Sequence, residues 1–277
     1  MRRIAGIGEI ARGYSALVLD LWGVVHDGVA PYPGVIDCLA LLRAARITVV
    51  MLSNAPRRSA AAVVALLRMG ITEDHYHAVV TSGEVTREML RNPRDPAIAG
   101  WGDHLWHLGP PRDRNLFEGL ALTEAPLAEA AFILNTGPDD ERDPTDPSAF
   151  DAEMMHAAAR DLPMLCANPD LEVVRGGKRI ICAGLLAERY RAMGGRVVSV
   201  GKPDPKIYVP VFARIDAPRE RILAVGDSLR TDMAGAQAVG IDHAWVLGGV
   251  HDDELDPVAA ARAAGLAPNF IMRRLAW

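Results

Sequence analysis

Short apolar runs recur along the chain, each cut off by glycine, proline or a polar residue. Between them, apolar positions fall at helical spacing. The first run, Ala16–Leu19, has the length and branching of a buried strand. It stops on Asp20, with Gly23 close behind. Pro33-Gly34 then leads into a helix whose inner face is Val35, Leu39 and Leu42. Residues 47–52 predict a second strand, ending in Ser53-Asn54, and 59–69 a helix with Val63, Leu66 and Leu67 apolar and Gly70 as its stop. A third strand over 78–80 and a helix over 83–90 complete a β-α-β-α-β-α order. That order predicts a parallel sheet with covering helices.

The texture changes over 92–102, where Pro93, Pro96 and Gly100 mark a boundary. Beyond it the pattern predicts strands over 105–108, 131–135 and 164–167, and helices over 116–120, 148–160 and 185–193. A hairpin is predicted over 172–181, turning at Gly176-Gly177. From Arg196 the first pattern resumes, with strands over 197–200, 222–225, 243–247 and 269–272 and helices over 232–239 and 257–264. Pro210 is expected to kink or delay the helix that Asp204-Pro205 starts. The expected organisation is α/β, with a discontinuous core over 1–94 and 196–277 and an α/β domain over 95–195 inserted into it.

Composition narrows the function class. With 277 residues, half of them hydrophobic, the chain can bury one large core or two modest ones. A formal charge of −5 gives no basis for nucleic acid or an anionic membrane as partner. No apolar run is long enough to span a membrane, and the amino terminus does not read as a signal peptide. Cys38, Cys166 and Cys182 lie far apart in apolar runs, as buried thiols in a reducing compartment, so the expected location is cytoplasmic. His75 with His77, and His104 with His107, are expected at the surface or partly buried rather than on a metal, since strand residues three apart face opposite ways.

The candidate chemistry sits at strand ends. Asp20, Ser53, Lys202 and Asp227, with Asp232 following, converge if all the core strands run parallel and end on one edge. Carboxylates make a hard oxygen site for Mg²⁺, while a hydroxyl, an amide and an ammonium can hold phosphate oxygens. A further carboxylate can attack phosphorus as a nucleophile. Only three of the 30 basic residues are lysines, Lys178, Lys202 and Lys206, which hints that a compact ammonium is wanted where one is kept.

The ordered motifs DLWGV, LSN, GKPDPKIY and GDSLRTD resemble those of the haloacid dehalogenase superfamily. LSNAP, NPD and GDSLRTDMAGA are similar to its class IIA members, the nitrophenyl-phosphatase and sugar-phosphatase-like group. The resemblance implies a Rossmann-like parallel-sheet core with a large inserted α/β cap domain. It implies Asp20 as nucleophile, Ser53 and Asn54 on the transferring phosphoryl group, and Lys202 neutralising both phosphate and Asp20. Mg²⁺ would be held by Asp20, the backbone carbonyl of Trp22, and Asp227 with Asp232. The expected reaction is hydrolysis of a small phosphorylated metabolite through an aspartyl-phosphate. Asn168-Pro169-Asp170 reads as an ordinary turn by composition, and by the resemblance as the cap strand end facing the site, so that Asn168 and Asp170 would touch substrate. Arg175 is expected on the solvated surface of a hairpin at which a second subunit can also meet, giving a homodimer through the cap.

The family's phosphatases carry Asp-x-Asp-Gly, the second Asp being general acid and base; this chain has Trp22 there, and indole has no proton to give at neutral pH. His26 and Asp27 stand nearby, either as replacements or as turn residues. The alternatives are a weak or inactive member that binds a phosphate ligand as a sensor or partner protein, and dehalogenation, disfavoured because Asp227 and Asp232 keep a metal site which that reaction does not need.

Overall fold

The computed structural model describes residues 1–92, 94–175, 178–248 and 256–277; the expected breaks at Pro93 and at Gly176-Gly177 lie outside the described residues. The strands, in chain order, are Arg2–Arg3 (β1), Ala16–Leu19 (β2), Thr48–Ser53 (β3), Ala78–Thr81 (β4), His104–Leu108 (β5), Thr123–Glu124 (β6) and Phe132–Asn135 (β7). Met164–Cys166 (β8), Glu172–Arg175 (β9), Lys178–Ile181 (β10), Val197–Ser199 (β11), Ile222–Gly226 (β12), Asp242–Val246 (β13) and Phe270–Met272 (β14) follow.

Seven strands form one parallel sheet in the order β1-β14-β13-β12-β2-β3-β4. The chain steps outward from β2 through β3 to β4, then returns at β12 on the other flank and steps outward again. The strand order therefore reverses between β2 and β12, which is where open α/β sheets form their ligand crevice. Both faces are covered, which is why β2 and β12 are apolar without alternation. One face packs under the helix Val35–Ala44 (α1), through Val35, Cys38, Leu39 and Leu42. The other packs against Ile207, Tyr208 and Val211.

A second parallel sheet has the order β11-β8-β7-β5-β6, and β9 and β10 form the antiparallel hairpin. Two core clusters, one including Phe150, Met154 and Tyr190 and the other Leu116, Phe132 and Leu165, belong to this unit. The boundary expected at 196 is corrected here. Val197–Ser199 pairs with β8, so the second sheet keeps the chain until Ser199 and the first resumes only at β12. A short apolar strand carries no mark of which parallel neighbour it will join. Three more expectations change. The helix expected over 116–120 is instead a 3₁₀ segment at Pro111–Leu116, and the helix over 232–239 begins as a π-type turn at Leu229–Met233. In the helix Ser59–Arg68 (α2) only Leu66 is buried, and Leu67 lies 59% exposed. The two-residue strands β1 and β6 carry no apolar signal and escape the sequence pattern. Among the described residues no helix is long and apolar enough to cross a membrane.

Candidate active site

Register brings the carboxylates together. Leu19 of β2 lies beside Val225 of β12 and Met51 of β3, so Asp20, Asp227 and Ser53 leave adjacent strand ends. Asp20 stays in line because its N–H donates to Val225 O at 2.9 Å, and the Trp245 indole N–H donates to Asp227 O, also at 2.9 Å. Gly23, at φ 78°, bends the chain away beneath Asp227; a Cβ there would collide with the Asp227 carboxylate.

Lys202 ties the cluster. Its Nζ donates to Asp20 Oδ1 (2.5 Å), Asp232 Oδ1 (2.6 Å) and Leu52 O (3.1 Å), with 3% of the residue exposed. It does not follow a strand of the first sheet, as its motif suggested; it enters from the end of β11, the edge strand of the second. Burial lowers the Lys202 pKa, yet Asp20, Asp232 and Asp170 outweigh burial and hold it well above the ordinary value. Burial raises Asp20; Lys202 opposes that shift and Asp232 adds to it.

Asp20, Asp227 and Asp232 each offer an oxygen within 4.8 Å of the others. Three buried carboxylates exceed what one ammonium cancels, and all are hard oxygen donors. The donor set therefore fits a divalent cation. The remaining predicted residues are arranged as follows. Ser53 is buried with its Oγ accepting from Ala55 N–H (3.2 Å). Asn54 is a strut between the two sheets: its Oδ1 accepts from Lys202 N–H (2.7 Å) and its Nδ2 donates to Asp170 Oδ1 (2.9 Å). Asp170 lines the same 480 Å³ cavity as Asp20, Trp22 and Lys202, and burial raises its pKa. Asn168 lies outside that cavity; its Oδ1 accepts from Asp170 N–H (2.9 Å) and shapes the turn.

The Trp22 indole lies across Gly28, where a Cβ would strike its ring, and edge-on to His26 with centroids 5.2 Å apart. His26 is buried and its pKa is lowered to about 4 by that burial; its Nδ1 accepts from Gly28 N–H (3.0 Å), so the ring is neutral with only Nε2–H to offer. Asp27 is held below the usual carboxylate range by the N–H groups of Ala30 and Val29, each at 2.8 Å. The loop thus carries a neutral imidazole and a fixed carboxylate, both spent on its own turn. His104 is exposed and His107 buried, on opposite faces of β5 as expected.

Sequence reasoning missed Tyr32, Arg179 and Arg230, which also line the cavity. Arg230 sits inside GDSLRTD and was within reach. It donates to Pro169 O of the opposite turn and pairs with Glu188 at 3.6 Å. Tyr32 and Arg179 had no pattern to mark them.

A family model for haloacid dehalogenase-like hydrolases matches residues 17–123, and a second, HAD-hydrolase-like, matches 199–276. Among curated proteins, the ribonucleotide monophosphatase NagD of Escherichia coli K12 is 26% identical over 246 residues, covering 87% of this chain and 90% of NagD. A solved glycerol phosphate phosphatase from Mycobacterium tuberculosis, in complex with calcium, shares the fold at TM-score 0.65 and 24% identity, covering 95% of this chain and 74% of that one. A solved hydrolase of the haloacid dehalogenase-like family from Brucella suis is 32% identical at TM-score 0.85, over 98% of this chain and 99% of that one. With carboxylates, lysine and strand-end placement all in the motifs' order, the chain belongs to the haloacid dehalogenase-like hydrolases, in their class IIA branch.

Proposed function

We propose that the chain is a Mg²⁺-dependent phosphatase of a small phosphorylated metabolite, working through an aspartyl-phosphate on Asp20. The observation that carries this is Lys202 Nζ bound at once to Asp20 and Asp232, with Asp227 completing the carboxylate cluster. The names of the relatives, monophosphatase and glycerol phosphate phosphatase, support the same class. Asp20, Asp227 and Asp232, with the Trp22 carbonyl, would hold the metal; when bound, it would offset the charge of phosphate and carboxylates together. An Asp20 carboxylate oxygen forms a bond to phosphorus while the bond to the ester oxygen breaks, and that oxygen leaves with the electron pair. Water then attacks the acyl phosphate at phosphorus, releasing phosphate and restoring Asp20. Lys202 opposes the protonation that burial favours at Asp20 and holds the carboxylate in place. The second sheet with its hairpin serves as the cap, with Asp170 closing over the site and excluding water.

Trp22 favours a second reading, a weak enzyme or phosphate-binding sensor, because no acid stands at that position. Rapid acid quench with a labelled aryl phosphate separates the two. The enzyme reading expects labelled protein in Mg²⁺, none in chelator, and none in Asp20→Asn. Phosphate binding without labelled protein or turnover would leave the sensor.

A further inference from the structure

A second cavity, of about 200 Å³, adjoins the first and shares Trp22, Asp170 and Val173 with it. Its floor is apolar, from Ala61, Ala65 and Met69 of α2 and the loop after it. Three arginines from separate elements line it: Arg57 before α2, Arg112 in the 3₁₀ segment Pro111–Leu116, and Arg175 at the end of β9.

These guanidinium groups crowd one another. Burial lowers the Arg57 pKa, Asp113 opposes this, and Arg112 and Arg175 lower it further. Their donors are largely unspent. Arg57 Nε stands 3.7 Å from Asp113 Oδ1, beyond hydrogen-bond reach, and that buried oxygen has no hydrogen-bond partner among the described residues. Burial pushes the Asp113 carboxyl up to about 6, against the pull of Arg57 and Arg112, and it stands as a counter-ion to Arg57 without a direct hydrogen bond. Arg112 gives one N–H to Asp140 (2.5 Å) at the exposed rim. Arg175 makes no ion pair or side-chain hydrogen bond among the described residues. Arg57 and Arg112 thus each face one carboxylate and Arg175 faces none among the described residues, so a chain of net charge −5 keeps an excess of cations at a half-open cavity beside its reactive site.

Planar guanidinium forks match oxyanions bidentately, and an apolar floor suits a short carbon chain. We infer that this cavity takes a second anionic group of the substrate, through Arg57, Arg112 and Arg175. The substrate class is then a phosphomonoester with a carboxylate or second phosphate on a short chain, lying past Trp22 from one cavity to the other. This rests on the phosphatase reading for the position of the first phosphate.

Calorimetric titration of the Asp20→Asn protein in Mg²⁺ tests it with propyl phosphate, phosphoglycerate and propanediol bisphosphate. The second anion is expected to tighten binding about tenfold or more, the arm that gains telling carboxylate from phosphate. Arg175→Gln, whose side chain makes no ion pair or hydrogen bond among the described residues, and Arg112→Gln are each expected to lose most of that gain. Equal affinity for the three esters, or a gain that survives both substitutions together, overturns the inference. Turnover in the natural chain tells the two readings apart. Propyl phosphate hydrolysed with no binding preference keeps the phosphatase and removes the anion site. Preference without turnover of any ester keeps the anion site on a binding protein.

Discussion

At position 22 the structure sharpens what the sequence raised. The leaving oxygen needs a proton or must be stable as an anion, and a positioned acid typically contributes ~10²–10⁴-fold. Trp22 has none to give, the buried His26 is neutral and bound to Gly28 N–H, and Asp27 is fixed by two amides. Rate should therefore climb steeply as the leaving-group pKa falls. Nitrophenyl phosphate should run at least about 10²-fold ahead of alkyl phosphates, and Trp22→Asp should narrow that gap. Single-turnover rates over a series of esters, with a melt to confirm that the variant keeps its loop, decide it. A flat series in the natural chain would mean that a proton arrives from elsewhere; Asp170 is a carboxyl in the cavity, outside the Asp20, Asp227 and Asp232 cluster, whose pKa burial raises. The strand-end residues were legible because a parallel sheet delivers all its carboxyl ends to one edge. The fate of His26 and Asp27 was not, because it turns on which amides of a short loop point inward.

Among elements, the contact between the two sheets' units combines an apolar part, where Leu90 packs in one cluster with Leu116 and Phe132, with a few polar struts. Arg87, on the helix Ser82–Arg91 (α3) that follows β4, is nearly buried, and its Nη1 donates to Asn115 O, Leu116 O and Glu118 O at 2.9–3.0 Å. It caps the end of the 3₁₀ segment whose other residues include Arg112 and Asp113. Arg87→Ala should leave those carbonyls without a donor and cost about 1–3 kcal/mol. Arg87→Lys should recover part of this, since its ammonium can donate to the same carbonyls from a shorter side chain. Chemical denaturation measures both, and an Arg87→Ala chain as stable as the natural one would remove the strut from the account. Nothing in the sequence pointed to Arg87, since a basic residue in an amphipathic helix reads as solvated. The same limit misassigned β11. Val197–Ser199 looks like any core strand, and only its pairing with β8 shows that Lys202 arrives from the second sheet. The regular strands β2, β3, β7 and β12 were legible because burial on both faces imposes an apolar run. Leu67 and the 3₁₀ and π-type turns were not, since they depend on packing partners far along the chain.

For the molecule as a whole, the site stores an electrostatic imbalance. Asp20, Asp227 and Asp232 converge at the junction of the two halves of the sheet, and Lys202, from the other sheet, supplies the cluster's one ammonium. Unfolding disperses these charges, so a divalent cation that binds only where they meet must stabilise the fold. By mass action the gain is about 2.7 kcal/mol at a hundred times the dissociation constant. For a chain of this size that is a rise of roughly 5–10 °C in Tm, if the two units melt together. Because Lys202 and Asn54 join the cluster to the opposite turn, the metal's effect should extend to both units, and one shifted transition is expected rather than two. Asp227→Asn removes the charge and replaces one of the two side-chain oxygens by an NH2 group, while the Trp245 bond to the backbone of residue 227 can remain. The variant should therefore fold yet lose most of the Mg²⁺-dependent rise. Thermal melts of both proteins in chelator and in Mg²⁺ make the comparison. An equal rise in the two would mean that the carboxylate cluster is not where the metal sits. A rise confined to one of two resolved transitions would mean that the struts do not couple the sheets.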